Sequence, residues 1–461
     1  MTLNATSIVA LVDGYTNSST LGAIKAPNTA AVAGDPALVV TISPNQGASG
    51  VGTSFSDSGN LDAFGRLRVS EPITIFTHKM ILDNQPLIFD DQQISGASTT
   101  SVFNTNQASV TISATGNVAG DRVRQSFIRP AYQPGRSQLI FLTGIINATG
   151  TAAAGITRRL GQFDGYNGFF FQYGGTPGAG VLSVVRRTNT SGTPVDNIVP
   201  STAWNVDKFD GTGPSGITVD TTKVQIFVID YQWLGSGRIR FGLDVSGVIH
   251  YCHYIFIANV NPTVSVSTPN NPIRYEIISD GTGTSSVATM THICASVSSE
   301  GGQQLLGFPF SVNNSAVSTL TTGANTNQYP LIALQAQSNK LGATIQLQSY
   351  TLFSSTANAN VLVQFILNPT ITGTTLSFTP VSNSTLQFAL GTNATTISGG
   401  TVIYSEYVNV SKISSVSQMF GTESNLGAFI SGVGQIIVIT VTSIGGTALV
   451  MYGGVSWLEL A

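Results

Sequence analysis

Charge is what this sequence has least of. Charged residues make up 9% of the 461 positions, about a third of the share usual in soluble domains. Intrinsic disorder is excluded, because disordered chains pair low hydrophobicity with high net charge, and here 42% of residues are hydrophobic and the net charge is -3. A free cytosolic enzyme with a charged helical surface is not what such a composition builds. Nor is there a global basic field to draw the chain to nucleic acid, so no nucleic-acid partner is expected. Cysteine is nearly missing: Cys252 and Cys294 are the two, too few for a disulfide-stapled scaffold. The opening MTLNATSIVALVDGYTNSST lacks a basic n-region and a sustained apolar core, so no secretory signal is expected. Long apolar runs are also lacking. Residues 424–456 carry no charge, but QIIVITVTSIGGTALVMYGGV is β-branched and broken by Gly445-Gly446. It reads as a buried hairpin turning at that pair, and no membrane span is expected.

Helical periodicity is absent as well, and what stands in its place is β-structure. Short runs such as Ser109–Thr115, Ser137–Thr143, Val224–Tyr231, Ile239–Val245 and Val361–Leu367 alternate or fill with Val, Ile, Phe and Tyr. Gly, Asn, Asp and Pro punctuate them every ~8–12 residues, the signal of a sandwich or barrel. No short fixed repeat marks a solenoid or propeller. Charge divides the chain further. Residues 1–65 hold one Lys against four Asp. Residues 66–274 hold all thirteen Arg, 16 basic against 12 acidic residues in total. Residues 275–461 hold two Lys against six acids. The expected fold is all-β: two jelly-roll-type β-sandwiches behind an extended N-terminal arm. The arm is assigned to 1–58, with isolated apolar pieces at Ser7–Val12 and Ala37–Ile42. An Arg-containing, lectin-like sandwich is assigned to 59–302 and a C-terminal sandwich to 303–461.

Arginine supplies the clearest candidate contacts. Arg66/Arg68, Arg122/Arg124 and Arg238/Arg240 are spaced i, i+2, which on a strand places both guanidinium groups on one face. Arg158/Arg159 and Arg186/Arg187 complete five pairs. Such forks grip carboxylates, on an acidic glycan or a neighbouring subunit, or they pair with acids of their own block such as Asp90, Asp91 and Asp121. Trp204, Trp233 and Tyr166 are candidate stacking platforms for a glycan. Asp207, Asp210 and Asp220 flank a polar loop with the oxygen chemistry of a calcium site, yet their spacing misses the calcium-loop pattern and matches ordinary turns. His250 and Cys252 share a strand face, as do His292 and Cys294, so a zinc site or a disulfide is conceivable if those strands are neighbours; two buried thiols are the simpler outcome. No metal or cofactor is expected. No nucleophile elbow, zinc-protease motif or phosphate loop is present, and Asp90-Asp91, adjacent on a strand, point to opposite faces.

The run Leu61-Asp62-Ala63-Phe64-Gly65-Arg66-Leu67-Arg68-Val69-Ser70, with Asn60 before it, resembles a segment of structural proteins of tailed bacteriophages of the marine type. Similar stretches follow collinearly: Asp83-Asn84-Gln85-Pro86-Leu87, Arg122-Val123-Arg124-Gln125, Tyr132-Gln133-Pro134-Gly135, Gly155-Ile156-Thr157-Arg158-Arg159, Asp210-Gly211-Thr212-Gly213-Pro214-Ser215-Gly216-Ile217, Trp233-Leu234-Gly235 and Ser299-Glu300-Gly301-Gly302. The resemblance covers roughly 59–302. It implies a virion structural protein, assembled in the host cytoplasm, with no catalytic residues to carry over. The strand order between about Gly161 and Ile277 is also similar to a concanavalin-type lectin jelly roll, with Phe169–Gln172 beside Val181–Arg186 and Val224–Tyr231 beside Ile239–His250.

The expectation is therefore a non-enzymatic capsid-associated fibre or decoration protein. It would form a homo-oligomer, a trimer first, because closed symmetry covers edge strands, and would contact other virion proteins. The alternatives are a tail or fibre adhesin binding host surface glycans and a polysaccharide hydrolase, the last requiring a carboxylate pair in one cleft.

Overall fold

The computed structural model describes residues 61–460 except 67, 69–71, 151–152, 303, 305, 315–319, 357, 412–415 and 420–425, with backbone alone at 416–419. The expected arm over 1–58 lies outside the described residues. No α-helix occurs among the described residues, only two short 3₁₀ turns at Thr105–Gln107 and Ser201–Ala203.

Fifteen strands build the first sandwich. They begin with β1 (Ile73–Lys79), β2 (Phe89–Gly96), β3 (Thr99–Asn104), β4 (Ser109–Thr115) and β5 (Gly120–Ser126). Next come β6 (Ser137–Ile145), β7 (Ile156–Phe163), β8 (Gly168–Gly174), β9 (Leu182–Thr188) and β10 (Val195–Pro200). The last are β11 (Gln225–Tyr231), β12 (Ile239–Val245), β13 (Val248–Ile255), β14 (Ile273–Ser279) and β15 (Val287–Glu300). They sort into a seven-stranded sheet, β10-β9-β8-β7-β14-β5-β2, and an eight-stranded sheet, β13-β12-β11-β6-β15-β4-β3 with β1 added on β15. All pairings are antiparallel. Period-2 alternation explains the core: β8 sends Phe169, Phe171 and Tyr173 inward, where they meet Phe227, Phe241 and Tyr231 of the other sheet. Each such ring, fully buried, contributes on the order of 2–3 kcal/mol.

The second sandwich starts with β16 (Phe308–Asn313), β17 (Leu320–Thr321), β18 (Gln328–Ala336), β19 (Thr344–Ser354) and β20 (Ala359–Leu367). It continues through β21 (Thr370–Gly373), β22 (Thr379–Pro380), β23 (Leu386–Leu390) and β24 (Thr395–Ser398). It ends with β25 (Thr401–Val410), β26 (Val416–Met419), β27 (Ile436–Ser443) and β28 (Val450–Leu460). A five-stranded sheet around β28 and β19 faces a six-stranded sheet around β18 and β27, with β21-β24 as a separate ribbon. Their core holds Trp457, Tyr350, Phe365 and Leu334. The two sandwiches touch where Phe429 packs edge-on against Phe127, with ring centroids 5.4 Å apart. The Ala428 amide donates to the Phe127 carbonyl at 2.9 Å.

One sequence expectation needs correction, and two alternatives that the sequence left open fall away. The chain does turn at Gly445 and Gly446, both at positive φ, but β27 and β28 belong to facing sheets and do not pair. The segment is an arch across the core rather than a hairpin. Next, Cys252 on β13 and Cys294 on β15 are separated by β12, β11 and β6, four strand spacings or ~19 Å. Both thiols are free, and the distance rules out both the bridge and a shared zinc site. Third, the loop carboxylates are occupied. Asp207 accepts the Phe209 and Ser215 amides, Asp210 the Thr212 amide and Asp220 the Thr222 amide. These are turn-closing bonds, and no three-residue metal-ligand group occurs among the described residues.

Candidate functional site

Of the three i, i+2 arginine pairs only Arg122/Arg124 lies on one strand, β5; Arg66 and Arg68 lie on no strand and Arg238 precedes β12, and these arginines turn toward the protein's own acids and carbonyls. Across the β2–β5 register Asp91 lies opposite Arg124. It takes both Arg122, at 2.7 Å, and Arg124, and Arg124 is fully buried. Asp230, also fully buried, takes Arg240, Arg68 and the Tyr251 hydroxyl. Arg68 further pairs with Glu300 at 2.7 Å. Arg66 pairs with Asp62 at 2.7 Å, and Arg238 donates to the Ala63 carbonyl at 3.3 Å. These groups tie neighbouring strands within each sheet, and the segment before β1 to the eight-stranded sheet, instead of presenting a docking face. Trp204 is buried, its indole N–H bonded to the Val199 carbonyl, and Trp233 is half-buried with its N–H on the Val266 carbonyl. Burial closes the Trp204 ring to stacking. Tyr166 is exposed, on the loop joining β7 to β8.

The site that emerges instead is the outward face of the seven-stranded sheet. The register aligns Arg159 of β7 with Gln172 of β8 and Glu276 of β14, and Arg187 of β9 with Asp196 of β10. Partners in register share a face, so these side chains form one layer. Glu276 receives Arg274 at 2.6 Å and Arg159 at 3.0 Å. Asp196 receives Arg187 through two bonds, 2.7 and 2.9 Å. Beneath lie Phe163, Phe170 and Val185, all fully buried. The Arg187 guanidinium stands 5.2 Å from the Phe170 centroid and 5.8 Å from that of Phe163. Rings below and carboxylates alongside fix each guanidinium in place.

Beside this layer is a hollow of about 510 Å³ lined by Thr157, Arg159, Gln172, Thr176, Asp196 and Asp280, with Gly155 and Gly175 at its rim. Gln172 is fully committed: its carbonyl accepts Arg159 Nε at 2.8 Å, and its amide donates to the Gly174 and Thr176 carbonyls. Asp280 accepts the Thr282 amide and hydroxyl at 2.8 and 2.7 Å, bonds that hold its carboxyl below the ordinary range. The rim glycines are structural requirements. Gly155 and Gly175 have φ of 71° and 69°. A Cβ on Gly155 would sit 2.3 Å from Asp280 Oδ1, and one on Gly175 2.3 Å from Thr157 Oγ1.

One further pair titrates unusually. Asp121 lies on the same outward face, on β5. Burial, and then the neighbouring charge of Glu276, raise its carboxyl to about 7. Its Oδ1 is buried without a partner. Glu276 moves the other way: burial alone would raise it, but Arg274, Arg159 and Arg187 hold it below the usual value. Sequence reading singled out Arg159 and Asp121 for other reasons, and it missed Thr157, Gln172, Thr176, Asp196 and Asp280. Alternation showed which residues share a strand face, while the register that joins five strands into one layer is a tertiary fact.

No protein-family model and no curated protein matches the sequence. Solved structures similar to part of the chain include an endo-1,3-beta-glucanase from Streptomyces sioyaensis, at 10% identity and TM-score 0.33, covering 50% of this chain and 96% of that one. A legume lectin-like domain from Entamoeba histolytica is similar at 12% identity and TM-score 0.30, covering 50% and 97%. Winged bean acidic lectin, complexed with methyl-alpha-D-galactose, is similar at 11% identity and TM-score 0.30, covering 50% and 99%. No helix among the described residues is long and apolar enough to cross a membrane.

Proposed function

We propose that this chain is a non-enzymatic structural component of a virus particle, a fibre or decoration protein, whose first sandwich contacts a neutral saccharide. The virion part is supported by the collinear resemblance over roughly 59–302. The saccharide part is carried by one observation, the polar hollow beside β7–β10. Its volume suits one or two sugar rings. It offers hydroxyls at Thr157 and Thr176, a carboxylate at Asp280 and guanidinium donors at Arg159, all on a floor already fixed by hydrogen bonds. Arg159 is balanced by Glu276, so no free cation remains there to recruit an acidic glycan. The site therefore favours neutral sugars over the acidic ones that the arginine pairs alone suggested. The hollow's walls include no aromatic platform, so single-site affinity is low. An oligomer supplies avidity by presenting several hollows together.

Two experiments test this. On a glycan array the oligomer binds neutral glycans, and Thr157→Ala with Asp280→Ala abolishes the signal; unchanged binding by the double variant would remove the hollow from the account. Immunogold electron microscopy with antibody to 303–461 should decorate intact particles, and particles without label would remove the virion reading.

A hydrolase is the second reading, favoured by Asp121 held protonated near neutrality beside an ionised Glu276, the division of labour of an acid and a base. Glu276, however, is buried and clamped by two arginines, which leaves it no open edge for a substrate. Reducing-sugar release that disappears in Asp121→Asn would promote this reading.

A further inference from the structure

A pair of imidazoles lies beneath the edge strand β1. The sequence FTHKM alternates so that Phe76, His78 and Met80 face inward while Thr77 and Lys79 face solvent. β1 is bonded to β15 alone among the named strands and stands off the main path of its sheet. On β15, residues up to His292 pair with β4, and from Cys294 onward the partner on that side is β1. His292 therefore sits where the neighbour changes. Its Nε2 is 2.6 Å from His78 Nε2, and both rings are buried.

The surroundings dictate the protonation. Tyr275 of β14 stacks on His292 at 3.7 Å, and Phe89 of β2 packs edge-on to both imidazoles. Arg124 of β5 directs Nε toward His292 Nδ1 at 3.5 Å. A guanidinium only donates, so His292 Nδ1 is the acceptor and its proton is on Nε2, given to His78 Nε2. His78 then carries its own proton on Nδ1, a buried atom with no partner. The other groups facing the pair are Met80, which contacts Arg124, the Cys294 backbone that Tyr275 bonds, and Asp91, which is taken up by Arg122 and Arg124. Lys79 points away into solvent. Among the described residues no carboxylate bonds either imidazole, and the charge that bears on both is the positive one of Arg124.

We propose that the His78–His292 pair is a proton-operated latch on β1: neutral, it holds the strand down, and a proton on either ring lifts β1 from β15 while the rest of the sandwich stays folded. An imidazolium here would face Arg124 with no counter-ion. Lifting an edge strand bonded on one side is the smallest movement that lets water reach both rings. Burial, and then the charge of Arg124, set His78 at about 3. Burial, then His78 and Arg124, push His292 well below its ordinary value. Release therefore falls between about pH 6.5, where free imidazoles titrate, and about 3.

Hydrogen–deuterium exchange on the full chain, corrected for intrinsic rates, tests the latch. Between pH 7.5 and 4 the amides of Ile73–Lys79 should lose at least tenfold in protection while β11 and β12 keep theirs. The double variant His78→Phe with His292→Phe, which leaves no titrating ring beneath β1, should abolish that loss. Equal protection of β1 at both pH values, or loss of β1 only together with the whole sandwich, would overturn the proposal. Should the variant not fold, histidine NMR of the native chain decides. Both rings must gain protons in the same pH range in which β1 opens; opening with the rings still neutral contradicts the latch. His253, also buried and held at about 4, is the internal control. Loosening confined to β13 would mean that the acid response belongs to His253 and not to β1.

Discussion

The two sandwiches solve the same packing problem with different chemistry. The first contains every arginine and all four histidines, and strands within each of its sheets are tied by ion pairs at Asp230, Asp91 and Glu276. The second has no arginine and is braced largely by neutral bonds, such as Gln328 to Gln364 and Gln387 to Gln335, at 2.7 and 2.8 Å. Its buried Glu459 bonds to the Trp457 indole and the Thr385 amide rather than to a cation. A buried ion pair adds little over a well-packed apolar substitute, but it is costly to break. The first sandwich is therefore held in one arrangement by groups that tolerate no loss, while the second is chemically quieter. A fixed outward layer is what a polar binding hollow requires, and the hollow is found on the first.

Breaking one brace in each half should separate them. Asp230→Ala leaves buried Arg240 without its carboxylate and should cost about 3–5 kcal/mol, read as an earlier unfolding transition of the first sandwich in calorimetry, with the second transition unmoved.

Acid should produce a comparable contrast. His78 is depressed in the folded chain from 6.5 to about 3. Its contribution is fully present above pH 6.5 and is lost as pH falls toward 3, on the order of 4–5 kcal/mol at most by linkage. Asp121, raised to about 7, has the opposite sign: its contribution is present at low pH and fades as pH climbs from about 4 to 7. Denaturant titrations across this range should show the first sandwich changing and the second, which has no histidine, nearly flat through pH 5–7. Parallel pH curves would end the contrast.

Glu459→Gln keeps an acceptor for part of its set and should cost only about 1–2 kcal/mol, confined to the second transition. Smallest of all, molar salt should shift the second sandwich by less than about 0.5 kcal/mol, since few of its contacts are ionic.

Much of this fold was legible from alternation. Ser109–Thr115 and Ile239–Val245 are strands with the expected bounds, and Phe169–Gln172 does lie beside Val181–Arg186. The arch at Gly445-Gly446 was not legible, because the same β-branched runs suit a hairpin or a crossing between sheets, and only the partners β18 and β19 decide. Arginine spacing correctly put Arg122 and Arg124 on one face. It could not tell inner from outer face, which was set by Asp91 in the neighbouring strand. The hollow was hidden for the same reason. Thr157, Gln172, Asp196 and Asp280 are scattered over more than a hundred positions and meet only through the order β10-β9-β8-β7-β14.

The most direct test is a crystal of the full chain soaked with the neutral oligosaccharide that binds best on the array. Sugar density against Thr157, Arg159 and Asp280 is the predicted result. Density on another surface, or an empty hollow at saturating ligand, would contradict the central claim.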